Sequence, residues 1–197
     1  MKRTKCGFTL VELLVVISII AFLLAIIVPA LGRAKDKSKL LVCRSRLHGL
    51  VTACRAYANS NNSKFPLGKK LDNPHKDLIT MLSGGDYVDS RGSYYCPSEK
   101  KEGLRNTEEN FAAGNISYFY FCYTEQPVSA ELSNHILHLV RWPRRLDDTM
   151  RHNTWVFSDG WYSGTPTAHR WYKKGVNYAV LDGSVHMVKS SPRSEFK

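Results

Sequence analysis

From Phe8 to Leu31 the chain reads FTLVELLVVISIIAFLLAIIVPAL, and the sole charge in that run is Glu12. A helix rises about 1.5 Å per residue, so the run is long enough to cross the ~30 Å hydrocarbon core of a bilayer. No other stretch of the sequence combines that length with that apolarity, which confines any spanning helix to the amino-terminal end. The carboxylate is the anomaly. An ionised side chain near a bilayer centre costs roughly 2.5–3.5 kcal/mol on insertion scales, and a plain anchor has no use for one.

The remainder is ordinary in size and composition. With 197 residues, 43% of them hydrophobic, the chain holds one domain plus an appendage, and the part beyond residue 60 can bury a core of its own. The net charge of +11 invites an anionic partner. Lys2, Arg3 and Lys5 precede the apolar run and Arg33, Lys35, Lys37 and Lys39 follow it, so flanking charge does not fix an orientation across a membrane. No stretch interleaves basic and aromatic residues as a base-stacking platform does. A solvated basic surface and a polyanion-binding one both remain open.

Three readings of the amino terminus compete. A secretory signal peptide would use the basic start and Val28-Pro29-Ala30 as a small-residue cleavage site, although Glu12 and the length of the run argue against it. A permanent signal anchor needs only the length. The third rests on Gly7-Phe8 followed by TLVELL, with Glu12 fifth and Pro29 twenty-second when Phe8 is counted as first. This pattern resembles the type IV prepilin signature, shared by type IV pilins and type II secretion pseudopilins. The resemblance implies a cytoplasmic leader of residues 1–7, removed by a prepilin peptidase between Gly7 and Phe8, and methylation of the new amino-terminal nitrogen of Phe8. It further implies that Glu12 pairs with the amine of a neighbouring subunit during filament assembly. A buried carboxylate is tolerable when so paired and hydrogen-bonded.

Past Pro29 the apolar residues Leu40, Cys43, Leu47, Leu50, Cys54 and Tyr57 follow one another at steps of three and four, one face of an amphipathic helix. Lys39, Arg44, Arg46 and Arg55 fall on the other side, and SNNSKFP, residues 60–66, stops the helix. The expected helix runs over residues 8–59, a membrane-spanning or filament-core half at 8–31 and an amphipathic half at 32–59, with Pro29 bending it or loosening a turn.

Five cysteines stand at 6, 43, 54, 96 and 122, none with CxxC spacing. The odd count suits an exported protein if Cys6 leaves with a leader. Cys43 and Cys54 lie about 16 Å apart on one helix, beyond the reach of a disulfide. Each could bond Cys96 or Cys122, and four buried thiols are the other outcome.

Residues 60–197 read as an α+β head in which the long helix packs on a small antiparallel sheet. DNPHKDLITML, residues 72–82, predicts a short helix capped by Asp72 or Asn73, with Pro74 in its first turn and Gly84-Gly85 at its end. Residues 115–125 predict a strand and residues 130–140 a helix. Asp159-Gly160 and Asp182-Gly183 each predict a tight hairpin, the second pairing Val180 with Val185 and Tyr178 with Met187. CRSRLHGLVTACRAYANSNNSKFP, YCPS and VNYAVLDGSVHMV are also similar to segments of a large group of bacterial prepilin-type proteins. That group often has a His followed by nine residues and then Asp-Gly; here twelve residues separate His169 from Asp182, so His169 takes no role from it.

Chemistry-bearing motifs are absent: there is no G-x-S-x-G, phosphate loop or H-E-x-x-H. His135 and His138 with Asp147 or Asp148 would be a thin metal set. Asp159 and Asp182 invite a calcium reading because some pseudopilin heads bind calcium, but turn chemistry accounts for both and no EF-hand pattern occurs. Trp142, Trp155, Trp161 and Trp171 would serve a glycan-stacking face or ordinary packing. The expectation is a structural subunit with no enzymatic activity and no cofactor. It is a single-pass protein of the bacterial inner membrane with its head in the periplasm, and then part of a periplasmic or surface filament. Its partners are the peptidase and other pilin-like subunits. The alternative is a membrane-anchored envelope protein that binds DNA or acidic glycans.

Overall fold

The computed structural model describes residues 9–67, 74–120, 155–159, 161–162, 165–166 and 176–188. The chain divides into two compact units, Met1–Ser38 and Lys39–Lys197, and helix α1 (Leu10–Ser60) contributes to both.

Within the first unit α1 is helical through Pro29, and every described residue up to Ser38 is exposed. Leu, Ile, Val and Ala surround the helix on all sides, which is the pattern of a segment that buries itself in lipid or in other helices rather than against its own chain. Its most apolar stretch is exposed throughout.

In the second unit the amphipathic spacing becomes a buried stripe: Leu40, Cys43, Leu47, Leu50, Val51, Ala53, Cys54 and Ala58. Tyr57 is half-buried and meets Tyr87 edge-on. The helix stops where Asn62 and Ser63 take left-handed backbone angles and the N–H of Ser63 returns to the carbonyl of Ala58 at 2.8 Å, an orphan-carbonyl closure of the kind expected at helix ends. Helix α2 (Pro74–Gly84) starts on its proline and ends at the glycines, as expected; the cap at 72–73 lies outside the described residues. Two short 3-10 turns, Arg91–Tyr94 and Glu102–Leu104, lead to α3 (Glu108–Ala113). Thr107 caps α3 by accepting the N–H of Asn110, and Gly114 closes it at φ 79°.

Four antiparallel strands form the sheet in the order β1 (Tyr118–Tyr120), β2 (Trp155–Asp159), β5 (Val176–Val180), β6 (Val185–Val188). β3 (Trp161–Tyr162) and β4 (Thr165–Pro166) make a separate pair. The core face joins Tyr118, Tyr120, Phe157 and Ala179 to the α1 stripe and to Leu78 and Leu82 of α2. The α+β layout read from the sequence is the one observed. Of the strand expected over 115–125, residues 118–120 are strand and those from 121 on lie outside the described residues, as does the expected helix at 130–140.

Both hairpin expectations need correction. The β5–β6 register pairs Ala179 with Val185 and Tyr178 with His186, one residue away from the expected pairing. A two-residue type I′ turn needs positive φ at both centres, but Gly183 (φ 90°) has it and Asp182 does not. The loop therefore takes three residues, closed by the N–H of Gly183 on the carbonyl of Val180 at 2.9 Å. A one-residue slip moves a strand's side chains to the opposite face, and here it sends Val185 onto the core and lets His186 stack on Tyr178. Asp159-Gly160 does not join two paired strands: β2 lies between β1 and β5, while β3 pairs with β4.

Candidate functional site

The carboxylate of Glu12 is held by the start of its own helix. Its Oε2 accepts the backbone N–H of Thr9 at 2.9 Å and the Thr9 hydroxyl at 2.6 Å, while the Glu12 N–H reaches back to Thr9 Oγ1 at 3.3 Å. This is a reciprocal capping box, T-x-x-E, which satisfies amide groups that the first turn of a helix leaves without partners. The spacing is present in the sequence and could have been read there. Around it the helix is bare: Leu10, Val11, Leu13 and Leu14 are all more than half exposed. Gly7 and Phe8, the expected processing pair, lie outside the described residues.

A second polar constellation lies in the core of the head. Asp159, at the end of β2, is 2% exposed. Its Oδ1 accepts the backbone N–H of Asn177 at 2.6 Å, and its Oδ2 accepts Asn177 Nδ2 at 2.6 Å and the Cys43 thiol at 3.3 Å. Arg44 Nε in turn donates to Asn177 Oδ1 at 3.1 Å. Three N–H or S–H donors converge on this carboxylate. Asp182 Oδ1 accepts the N–H of Ser184 at 2.7 Å, an ordinary turn contact. The two aspartates named for calcium thus serve different local networks, and no group of three metal-ligating side chains occurs among the described residues.

The basic side of α1 is not simply solvated. Arg44 reaches Asn177, Arg46 donates to the carbonyl of Tyr95, His48 Nδ1 meets the carbonyl of Gly183 at 2.6 Å, and Arg55 donates to the carbonyl of Asp182 at 3.1 Å. Because a carbonyl only accepts, the proton of that His48 contact sits on Nδ1. Arg44, His48 and Arg55 thus fasten the β5–β6 hairpin to the helix. Arg33, Lys35 and Lys37, in the other unit, are exposed. A cleft of about 340 Å³ in the head is lined by Ser45, Arg46, Tyr87, Ser90 and Ser93 among others.

Cys43, Cys54 and Cys96 are buried thiols. Cys43 and Cys96 lie within hydrogen-bonding reach of each other, and burial pushes the Cys43 thiol well above its usual range, with the Asp159 carboxylate adding to the effect. The Tyr118 phenol lies near both, and burial likewise raises it. Cys54 lies near Tyr94. Cys122, the pair His135 and His138, Asp147, Asp148, Trp142, His169 and Trp171 all lie outside the described residues. His75 of α2 accepts the N–H of Tyr120 at 3.3 Å and meets Phe119 edge-on, covering the outer edge of β1; burial lowers it to about 4.

Residues 2–28 match the family model for the prokaryotic N-terminal methylation motif. The chain is also similar to the type IV wide pilus major component PilA4 of Thermus thermophilus, at 41% identity over 61 residues, which is 31% of this chain and 47% of the relative. It therefore spans about half the length of that curated relative. No solved structure matches it.

Proposed function

We propose that this chain, a type IV pilin-like protein, is a structural subunit of a type IV pilus or of a type II secretion pseudopilus. In this reading a prepilin peptidase cuts between Gly7 and Phe8 and the nitrogen of Phe8 is methylated. The apolar half of α1 holds the subunit in the inner membrane with its head on the periplasmic side, and the same half then packs among other subunits in the filament core. Glu12 is the docking group, taking the amine of a neighbour. The protein works by packing, is the substrate of an enzyme rather than an enzyme, and needs no cofactor.

The observation that carries this reading is the position of Glu12, fifth after Gly7-Phe8, on a helix whose apolar surface is bare all round. That surface demands lipid or other helices as its surroundings. The match to the methylation motif over residues 2–28 covers the same segment, and the relative in Thermus thermophilus is named as a major component of a wide pilus.

The test is intact mass and amino-terminal sequencing of the protein purified from membranes. A start at Phe8, carrying one added methyl, is the expected result. A start at Met1 or at Leu31 would leave an anchored or a secreted protein, and the filament reading would fall. In that event an envelope protein binding DNA or acidic glycans through its basic surface becomes the reading to test. Salt-dependent affinity for such polymers is its signature.

A further inference from the structure

We infer that Cys43 and Cys96 form a disulfide that staples α1 to the Tyr94–Cys96 segment of the head, and that Cys54 takes no part in it. The inference rests on the proposed placement of the head outside the cytoplasm, where dithiols are oxidised.

The geometry selects this pair. The two side chains lie within interaction range of each other in the core, Cys43 fully buried and Cys96 5% exposed. The backbone beside Cys96 is pinned to α1 at the level of Cys43, because Arg46, one turn further along, donates to the carbonyl of Tyr95. The Tyr118 hydroxyl donates to the same carbonyl at 3.4 Å, and its phenol oxygen lies near enough to both cysteines to feel them. Cys54 is three turns of helix away from Cys43, about 16 Å by helical rise, and its neighbour is Tyr94. A disulfide needs Cα atoms roughly 4.4–6.8 Å apart, so one site on the head cannot serve both helix cysteines.

In the reaction both S–H bonds break and one S–S bond forms. The two electrons and the two protons, the latter relayed by water, pass to the disulfide of a thiol–disulfide oxidant, a protein oxidase or oxidised glutathione, whose S–S bond breaks to give two thiols. Such exchange runs through a thiolate. In the folded head burial and the nearby Asp159 carboxylate both hold Cys43 as the thiol, so the closed core exchanges slowly. The bond therefore forms before the core closes and is sheltered afterwards. It is a staple and not a redox switch. Asp159 keeps its two bonds from Asn177 when the thiol proton is lost.

Trypsin separates the three cysteines: Cys43 falls in Leu40–Arg44, Cys54 in Leu47–Arg55 and Cys96 in Gly92–Lys100. The full chain is extracted from membranes in denaturant with N-ethylmaleimide and mapped without reductant. In a second arm the reduced, unfolded full chain is returned to native conditions in detergent with a glutathione redox couple. The expected product in both arms is Leu40–Arg44 joined to Gly92–Lys100. C54S leaves that product intact and C96S leaves Cys43 alkylated, while reduction lowers the melting temperature by roughly 10 °C. Full alkylation of Cys43 and Cys96 in both arms, or Cys96 joined to another cysteine, overturns the inference. The link appearing in the refolding arm alone upholds the pairing and overturns the extracytoplasmic placement instead.

Discussion

Asp159→Asn is the sharpest probe of the head, because it changes no shape and removes one acceptor. The carboxylate takes the Asn177 N–H, the Asn177 side-chain amide and the Cys43 thiol at 2.6, 2.6 and 3.3 Å. Charge-assisted hydrogen bonds are worth about 1.5–3 kcal/mol each, and a buried donor left without an acceptor costs about 1–3 kcal/mol. An asparagine at 159 offers one oxygen and one NH2. If the NH2 replaces Oδ2 it faces the Asn177 amide and the thiol, and if it replaces Oδ1 it faces the backbone N–H. Either orientation sets donor against donor. Relief from burying a charge offsets part of this, which leaves a net loss of about 2–4 kcal/mol. In a domain of this size that is a fall in melting temperature of roughly 5–15 °C.

The neighbouring residue supplies the control. Ser158 is fully buried and its Oγ has no hydrogen-bond partner among the described residues. Ser158→Ala removes an unsatisfied hydroxyl, so it is expected to be neutral or stabilising by up to about 1 kcal/mol. Urea titration of the detergent-solubilised full chain, followed by tryptophan fluorescence, reads both variants on one scale. If Asp159→Asn falls within about 0.5 kcal/mol of the parent, or costs no more than Ser158→Ala, the buried network does not hold the sheet to α1 and the reasoning fails.

The acid limb of stability should carry the signature of His75. Burial lowers its folded pKa to about 4 from 6.5, so on acidification the unfolded chain takes up the proton first. The resulting loss begins as pH drops below about 6.5 and levels off near 4, reaching at most about 3 kcal/mol. His75→Gln keeps an acceptor for the Tyr120 N–H and should flatten that limb; an unchanged pH profile in denaturation would refute the assignment. Gly183→Ala forces a Cβ onto a residue at φ 90° and within 3.2 Å of the His48 ring, with an expected cost of about 1–3 kcal/mol by the same titration. A cost near zero would mean that the three-residue loop is not the one adopted. Glu12→Ala should leave membrane insertion intact and impair incorporation into filaments, scored by fractionating membranes from sheared filaments. Normal incorporation would remove its docking role.

What could be read in advance follows from how local the signal is. The bare apolar helix and the buried stripe from Leu40 to Cys54 are patterns within one element, so spacing alone located them. The T-x-x-E box at Thr9 and Glu12 is equally local and equally legible. The fastening of the β5–β6 hairpin is not. Arg44, His48 and Arg55 carry charge or polarity, which by itself reads as a solvent face, and their partners lie far along the chain at Asn177, Gly183 and Asp182. The observed hairpin register sets its loop carbonyls against His48 and Arg55. An Asp-Gly pair permits both two- and three-residue loops, and the longer loop turns Val185 onto the core side. Asp159 has the same history: turn chemistry gave a sufficient local reason for it, while its actual partners are a strand and a helix remote in sequence.

Glu12 was the anomaly of the apolar run, and on the proposed reading its two oxygens resolve it at two stages. In the single chain Oε2 takes both Thr9 donors, so the carboxylate contributes to starting the helix before any neighbour arrives. Oε1 has no hydrogen bond among the described residues. On the proposed reading, cleavage creates an ammonium group at Phe8, and a neighbour's ammonium can be taken by the second oxygen without dismantling the cap. The two interactions then reinforce each other. A carboxylate already oriented by two donors loses less freedom on pairing, and a pair so hydrogen-bonded is the form in which a buried charge is tolerated. A glutamine at 12 would retain the Thr9 cap through its single carbonyl oxygen and would lose the attraction for the amine. That difference separates a helix-capping role from an assembly role.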